Sequence, residues 1–312
     1  MKTLEDFKKK KQISSYFNKI YGDGTYRLSI VQKGLKEPIT KSQDKPTQWD
    51  QWLAGLIDGD GYFYISKKGQ AYFEITTAIE DERMLQIVKQ KIGGRVTPRS
   101  GSKSIRLRLG AKESLKNLLH RINGEIRHPS RIDQMQKICT HLDVVFQPPR
   151  PLDSSNAYMA GLFDSDGSIT IGVHKTRASD SVSPGIYGKY LRLKNSKARH
   201  QLSLHIVSKE KKLLEQIQRA LGFGSILREE ANAQQSRPNP LYRYYFCSRD
   251  DCNKWLSYLR ATRPLLSSKS SRCLMLQEYF DLKADKVHLE SSLSIKHKQW
   301  DRFCRKWHRV DI

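Results

Sequence analysis

Apolar and polar positions along the chain predict one order of helices and strands that occurs twice. From residue 48 to Asp60 the apolar residues follow helical spacing, with Leu53, Leu56 and Ile57 on one face. Two β-rich runs, a helix, two further β-rich runs and two closing helices come next. We therefore predict a unit in which an opening helix leads into two strand pairs, with one helix after the first pair and two after the second.

The second half of the chain repeats this order after a proline-rich break. The run Pro148-Pro-Arg-Pro151 cannot continue a helix and favours an extended spacer. The predicted segments are a basic extension at 1–47, a first domain at 48–145, a linker at 146–153 and a second domain at 154–312. The second domain has two additions, which are a basic insertion at 174–200 and an amphipathic C-terminal helix at 296–308.

The opening helices of the two domains carry the same short motif. Leu53-Ala-Gly-Leu-Ile-Asp-Gly-Asp-Gly61 returns as Met159-Ala-Gly-Leu-Phe-Asp-Ser-Asp-Gly167, and every position keeps its residue or one of similar size and polarity. A repeat at a long fixed period predicts two copies of one structural unit. Each copy ends in an acidic pair, so the repeat also supplies candidate metal ligands.

Net charge adds a partner to this picture. The chain has 56 Lys and Arg residues against 32 Asp and Glu, which gives a net charge of +24. Such a field favours a polyanion, and nucleic acid is the expected partner, with a merely basic or ribosome-associated protein as the alternative. No long apolar run predicts a membrane span. The five cysteines show no C-x-x-C spacing, so neither a disulfide framework nor a zinc ribbon is expected.

Small residues on each motif helix predict that the two helices pack side by side. Gly55 and Gly59 are four positions apart, as are Gly161 and Ser165, and small residues at that spacing let two backbones approach closely. The large apolar residues of each motif then face the core of their own domain. We predict that the helices meet across a pseudo-twofold axis.

This packing would bring Asp60 and Asp166 together at two helix C-termini, where the dipole is negative. One such carboxylate pair at about 5 Å costs roughly 3 kcal/mol at an effective dielectric near 20. A divalent cation with hard oxygen ligands would compensate, and Mg²⁺ suits carboxylates better than Zn²⁺ does. A solvent loop with no function is the alternative for a single D-x-D-G. An EF-hand fails because its spacing requires a Gly and a Glu that neither copy has.

The paired motifs resemble the signature of the LAGLIDADG homing endonucleases in their single-chain form. The resemblance extends from about residue 48 to about 311, and both final aspartates are intact. It implies an α+β fold of two αββαββα units, each with a four-stranded antiparallel sheet, related by a pseudo-twofold axis at the motif helices. The two sheets would form a saddle on double-stranded DNA. The expected protein is a monomer.

The resemblance also implies DNA contacts from polar residues on the strands, because one face of each sheet packs on helices and the other faces DNA. Each candidate is weighed against a solvated strand residue or a phosphate contact. Those of the first domain are Tyr62, Tyr64, Lys67, Gln70, Arg106 and Arg108. Those of the second domain are Arg192, His200, Gln201, Arg228, Arg243 and Tyr245.

For catalysis the resemblance implies that Asp60 and Asp166 are metal ligands, assisted by the backbone carbonyls of Gly59 and Ser165. Two or three Mg²⁺ ions would support hydrolysis of one phosphodiester in each strand and leave 3′ overhangs. The family places a basic residue before the last helix of each unit, and Lys269 and Arg131 are the candidates here. A simple phosphate contact is the alternative for both. Glu80 and Lys209 are candidates for an accessory polar residue after the second strand.

Three functions fit these expectations. The first is a Mg²⁺-dependent, site-specific DNA endonuclease that spreads its own intron by cutting a long asymmetric target. The alternatives are an RNA maturase that binds its host intron RNA and assists splicing, and a non-catalytic DNA-binding regulator. With no targeting segment recognised, we expect a protein made where it acts, in a mitochondrion or chloroplast with its own genome, with a bacterial cytoplasm as the other possibility.

Overall fold

The computed structural model contains two four-stranded antiparallel sheets, each covered by helices on one face. The structure describes residues 46–174, 185–197, 200–231 and 239–310. The predicted α+β class with two repeated units is confirmed. Most of the predicted basic extension and part of the insertion lie outside the described residues.

The first unit has its sheet in the order β1-β2-β4-β3. Its strands are β1 (Gly61–Ile65), β2 (Ala71–Ala78), β3 (Arg95–Pro98) and β4 (Ser104–Leu109). Its helices are α1 (Gln48–Asp60), α2 (Glu82–Ile92), α3 (Lys112–Ile122) and α4 (Pro129–His141), and a 3₁₀ turn at Ile79–Asp81 precedes α2.

The second unit has the matching order β5-β6-β8-β7. Its strands are β5 (Gly167–Val173), β6 (His200–Ser208), β7 (Ser225–Glu229) and β8 (Leu241–Phe246). Its helices are α5 (Tyr158–Asp166), α6 (Gly185–Asn195), α7 (Lys211–Leu221), α8 (Arg249–Ala261), α9 (Ser270–Cys273), α10 (Leu276–Ala284) and α11 (Ile295–His308).

Strand alternation places the core on one face of each sheet. In the first sheet Phe63 pairs with Phe73 and Ile75 with Leu107, and all four side chains are buried. The residues between them carry the polar and aromatic side chains of the opposite face. This separation is the one expected of an antiparallel sheet that packs on helices with one side only.

The paired helices α1 and α5 join the two units at very short range. A Cβ added to Gly55 would lie 2.0 Å from the Tyr158 carbonyl oxygen, and one added to Gly161 would lie 1.8 Å from the Trp52 carbonyl oxygen. Any side chain at either position would therefore force the helices apart. The predicted small-residue contact between the motif helices is confirmed.

The additions to the second unit form a helical layer of their own. Helix α6 lies in the predicted insertion and packs on α11, with the Tyr190 hydroxyl donating to Asp301 at 2.5 Å. Helices α9 and α10 are separate, because the Met275 N–H bonds the Arg272 carbonyl three residues back and tightens the turn between them.

None of the five cysteines forms a disulfide, as expected. Among the described residues no helix is long and apolar enough to cross a membrane.

Candidate functional site

The site is built at the ends of the two motif helices, of which α1 is capped at its start by side chains. Thr47 and Asp50 form a reciprocal cap at the start of α1, with the Asp50 N–H bonded to Thr47 at 3.2 Å and the Thr47 N–H bonded to Asp50 at 3.1 Å. Helix α1 is apolar on nearly all sides and is buried between its own sheet and α5. Side-chain hydrogen bonds therefore hold the start of α1, and burial holds the rest of the helix.

The first aspartate of each motif is buried. It binds the loop that precedes the predicted basic residue of its own unit, Arg131 or Lys269. Asp58 accepts hydrogen bonds from the Arg127 N–H at 2.7 Å and the His128 N–H at 2.9 Å. It also accepts one from the Tyr158 hydroxyl at 2.6 Å, across the interface between the units. Burial raises its pKa to about 6. Asp58 thus has a structural role.

Asp164 repeats this arrangement in the second unit. It accepts from the Ser267 N–H at 2.8 Å and the Leu266 N–H at 2.9 Å. The Trp52 indole N–H completes the set at 2.8 Å, again from the other unit. Each buried aspartate therefore links a helix of its own unit, a loop of its own unit and the motif helix of the other.

The second aspartate of each motif lies where α1 and α5 end side by side. A Cβ on Gly59 would be 3.1 Å from the Asp166 Cγ, so the two chain ends meet closely. Desolvation, followed by the charge of Asp166, raises the pKa of Asp60 to about 7. Desolvation also raises the pKa of Asp166, whose side chain nevertheless reaches solvent, while the charges of Lys269 and Arg131 act in the opposite direction. The structure thus brings the two predicted ligands together.

Two basic side chains lie against the same helix ends. The Lys269 ammonium donates to the backbone carbonyls of Asp164 at 2.7 Å and Ser165 at 2.6 Å. In the first unit, the Arg131 guanidinium donates to the Ile57 carbonyl at 3.3 Å and the Gly59 carbonyl at 3.4 Å. Cations at helix C-termini are favourable because they offset the negative end of the dipole.

Both predicted basic residues are therefore in the site, and both use their donors on backbone oxygens. Burial lowers the pKa of the Lys269 ammonium, which the nearby carboxylates oppose. The carbonyls of Gly59 and Ser165, expected to assist a metal, are the ones that accept from Arg131 and Lys269. A carbonyl has two lone pairs, so this contact leaves one acceptor site on each oxygen.

The Asp60 and Asp166 pair fits a hard divalent cation. Neither carboxylate accepts a hydrogen bond within the part of the chain that the structure describes, and each is close to the other's charge. Among the same residues there is no group of three or more His, Cys, Asp or Glu side chains placed to hold a metal. One or two carboxylates completed by water and phosphate oxygens is the donor set that Mg²⁺ prefers.

A third carboxylate near this site was missed by sequence reasoning. Asp81, at the end of the 3₁₀ turn, is buried, and its Oδ1 accepts from the Ser268 N–H at 2.6 Å. Glu80, the residue favoured from sequence, is exposed. The only sequence signal for Asp81 is its position just ahead of a helix, which many surface aspartates share.

Aromatic and arginine side chains cover the open face of the first sheet. The rings of Tyr62, Tyr64 and Tyr72 stack in a row, with centroids 5.5 and 5.3 Å apart. Arg108 lies 4.1 Å above the Tyr72 ring and pairs with Glu74, which also binds Arg106 at 3.1 Å. Four of the predicted first-domain residues thus share this face, while Lys67 and Gln70 are exposed in the β1–β2 turn.

Polar and aromatic side chains also lie on the open face of the second sheet. Gln201, Arg243 and Tyr245 lie on it, as predicted, and Arg243 pairs with Glu229. Thr170 and Ser203 face each other on the same surface across β5 and β6.

Three predicted DNA-facing residues of the second domain lie elsewhere. His200 is only 3% exposed, because it precedes the outward-facing Gln201 and consecutive strand residues point to opposite faces. Arg228 pairs in register with Tyr242, on the helix-packed side of the sheet rather than beside Arg243. Arg192 lies on α6, so it is not a strand residue. The expected position on the open face is therefore wrong for His200 and Arg228, whereas Arg192 lies on a helix of the predicted insertion and its DNA contact stays a prediction.

Comparison with known proteins agrees with this architecture. The family model described as LAGLIDADG endonuclease matches residues 53–141 and 159–280. The chain is 32% identical over 291 residues to the intron-encoded RNA maturase bI4 of Saccharomyces cerevisiae, covering 90% of this chain and 41% of that protein. It is also 32% identical over 282 residues to the probable intron-encoded endonuclease aI2 of Debaryomyces hansenii, covering 90% and 40%. The chain thus spans about two fifths of the length of these two relatives.

A shorter relative matches over most of its own length. The intron-encoded DNA endonuclease ai2a of Dictyostelium discoideum is 26% identical over 268 residues, covering 86% of this chain and 77% of that protein.

Solved structures share the fold at low sequence identity. The LAGLIDADG homing endonuclease I-LtrWI bound to target DNA superposes with a TM-score of 0.56 at 14% identity, covering 83% of this chain and 97% of that one. The meganuclease I-SmaMI bound to uncleaveable DNA gives a TM-score of 0.57 at 16% identity, covering 84% and 98%.

Proposed function

Since the chain belongs to the LAGLIDADG endonuclease family, we propose that it is a site-specific endonuclease that binds a long, asymmetric stretch of double-stranded DNA and cuts both strands. One observation carries the proposal. Asp60 and Asp166 converge where the two motif helices end, and each helix end also binds a basic side chain. A protein that only binds DNA would gain nothing from two carboxylates placed to face the phosphates, because their negative charges would repel each other.

The two open sheet faces support DNA as the substrate. A sheet can enter the major groove, where each base pair presents a distinct set of donors and acceptors. The Tyr62–Tyr64–Tyr72 row and the arginines paired with Glu74 give the first sheet rigid side chains suited to base edges and phosphates. Since both sheets belong to one chain with two motifs, we propose that the protein acts as a monomer on a target without symmetry.

We propose Mg²⁺ as the cofactor, held by Asp60 and Asp166 with help from the Gly59 and Ser165 carbonyls. Bound there, Mg²⁺ would neutralise charge on the scissile phosphates and make water a better nucleophile. Within the chain, the carboxylates would hold the ions and Lys269 and Arg131 would fix the helix ends. The two basic groups would also stabilise phosphate charge that develops during hydrolysis. One phosphodiester in each strand would break, leaving 3′ overhangs.

Cleavage of a randomised DNA library tests this proposal. The full chain is incubated with the library in Mg²⁺ or in EDTA, and the surviving molecules are sequenced. We expect loss of one asymmetric sequence class in Mg²⁺ only. Survival of every sequence at all Mg²⁺ concentrations, with protein that still binds DNA, would reject the nuclease and favour the non-catalytic regulator.

A maturase activity is the second candidate, favoured by the 32% identity to the bI4 maturase over most of this chain. In that case the chain would bind its host intron RNA and assist splicing. The variant Asp60→Asn separates the two activities, because splicing assistance requires no phosphodiester hydrolysis at this site. Splicing that continues with Asp60→Asn but fails without the protein would establish a maturase. We also propose an intron of an organelle genome as the source, since the curated relatives are named as intron-encoded.

A further inference from the structure

Asp81 fastens the loop that carries Lys269 to the opposite unit. Its carboxylate belongs to the first unit, and its Oδ1 accepts from the Ser268 N–H of the second unit at 2.6 Å. Asp81 is 9% exposed, so water competes little for this bond. Ser268 is the residue next to Lys269, so the contact fixes the backbone from which the ammonium reaches the α5 end.

The same loop is held at each of its neighbouring peptides. The N–H groups of Leu266 and Ser267 both bind Asp164. The Ser268 carbonyl accepts from Arg309, at the end of α11, at 3.2 Å. The Lys269 ammonium then has three carbonyl partners, which matches its three donors. Among the described residues that bond this loop directly, Asp81 alone belongs to the first unit, and Trp52 of that unit reaches the loop only through Asp164.

The first unit lacks the equivalent bond for a chemical reason. Its loop places the Arg127 and His128 N–H groups on Asp58, as Leu266 and Ser267 are placed on Asp164. The next residue, equivalent to Ser268, is Pro129, which has no N–H to donate. Glu210 precedes α7 as Asp81 precedes α2, and its charge acts on the His128 ring instead.

We propose that Asp81 is a positioning residue for Lys269, and that only one of the two strand-cleaving sites depends on it. This inference rests on the proposed nuclease function. Without the bond, the loop loses its direct hydrogen bond to the first unit, and Lys269 shifts relative to Asp60 and Asp166. A displacement of about 1 Å in a catalytic group can cost about 100-fold in rate, so the affected strand should be cut far more slowly than the other.

A strand-resolved cleavage assay tests the proposal. The target duplex is labelled separately on each strand, and single-turnover rates are measured in Mg²⁺. We expect Asp81→Ala to slow one strand by about 10- to 100-fold, so that nicked DNA accumulates. Lys269→Ala should slow the same strand. Arg131→Ala should have its larger effect on the other strand.

Two variants separate the hydrogen bond from the negative charge of Asp81. Asp81→Asn keeps an oxygen acceptor for the Ser268 N–H, so it should cut both strands at nearly the wild-type ratio. Ser268→Pro copies residue 129, removes the donor and leaves Asp81 intact, so it should reproduce the strand bias. Glu210→Ala is the matched control, and we expect it to leave the strand ratio unchanged. Equal slowing of both strands by Asp81→Ala, or a wild-type ratio in Ser268→Pro, would overturn the proposal.

Amide hydrogen exchange distinguishes failure of this inference from failure of the nuclease function. In the protein without DNA or metal, the Ser268 amide should be protected in the wild type and in Asp81→Asn, and unprotected in Asp81→Ala. Protection that persists in Asp81→Ala contradicts the inference even if cleavage is never observed. A wild-type chain that shows the predicted exchange but cuts neither strand contradicts the nuclease function alone.

Discussion

At the scale of single residues, the four motif aspartates show how surroundings assign different roles to one side chain. Asp58 is buried and accepts three hydrogen bonds, whereas Asp60, two positions later, lies at the helix end near Asp166. About half a helix turn separates the two residues, so one carboxylate faces the core and the other faces the opening. The same division separates Asp164 from Asp166.

Replacing Asp60 with Asn should remove cleavage and preserve binding. The amide has nearly the same shape but no charge, so it cannot offset a divalent cation. We expect a rate loss of about 10²- to 10³-fold, comparable to the removal of one transition-state stabiliser. An electrophoretic mobility-shift assay in Ca²⁺ measures DNA binding, and a cleavage assay in Mg²⁺ measures the rate of hydrolysis. Cleavage at the wild-type rate would exclude Asp60 as a ligand.

The same variant should change how stability depends on pH. In the metal-free protein the pKa of Asp60 is raised to about 7, above its value of about 4 in an unfolded chain. The folded state therefore holds this proton more tightly, and the stability it contributes is complete below about pH 4 and is lost as pH rises through about 7. Asp60→Asn should consequently have a higher Tm than the wild type at about pH 8, with little difference at about pH 4.

Adding Mg²⁺ at the higher pH gives the control for this prediction. The cation stabilises the form that binds it, so the wild-type Tm should rise while that of Asp60→Asn rises less. Equal responses of the two proteins would show that Asp60 does not hold the ion.

At the scale of helices and strands, the sequence predicts the elements better than the contacts between them. The motif helices, eight strands and the C-terminal helix follow from apolar spacing, because burial on one face imposes the period. The Asp81–Ser268 bond joins residues 187 positions apart, and no local pattern signals it. The orientation of His200 and Arg228 was also mispredicted, since a shift of one residue in a strand exchanges the two faces.

The contact between the motif helices predicts a large effect for the smallest possible side chain. Gly161→Ala places a Cβ 1.8 Å from the Trp52 carbonyl oxygen, so α1 and α5 must separate. We expect a loss of about 3 kcal/mol in the free energy of unfolding, measured with urea. Gly172→Ala is the control, because the nearest atoms to its Cβ would be 3.9 Å away. Similar losses in both variants would mean that the close helix contact does not determine stability.

At the scale of the whole molecule, positive charge and two open sheet faces act together. The net charge of +24 attracts a polyanion, and the two faces give it an extended surface to follow. Such a surface should neutralise about ten phosphates, which implies a slope near −9 when log affinity is plotted against log salt concentration. Titrations between about 50 and 200 mM salt measure it. A slope shallower than about −3 would contradict an extended contact with DNA.

The side chains that donate hydrogen bonds across the motif helices differ between the two halves. Trp52 and Tyr158 occupy the same place in their helices, yet one supplies an indole to Asp164 and the other a phenol to Asp58. A dimer built from two copies of the first half would meet Asp58 with an indole instead. Each buried aspartate of this chain is therefore matched to a donor that a second copy of its own half would not supply.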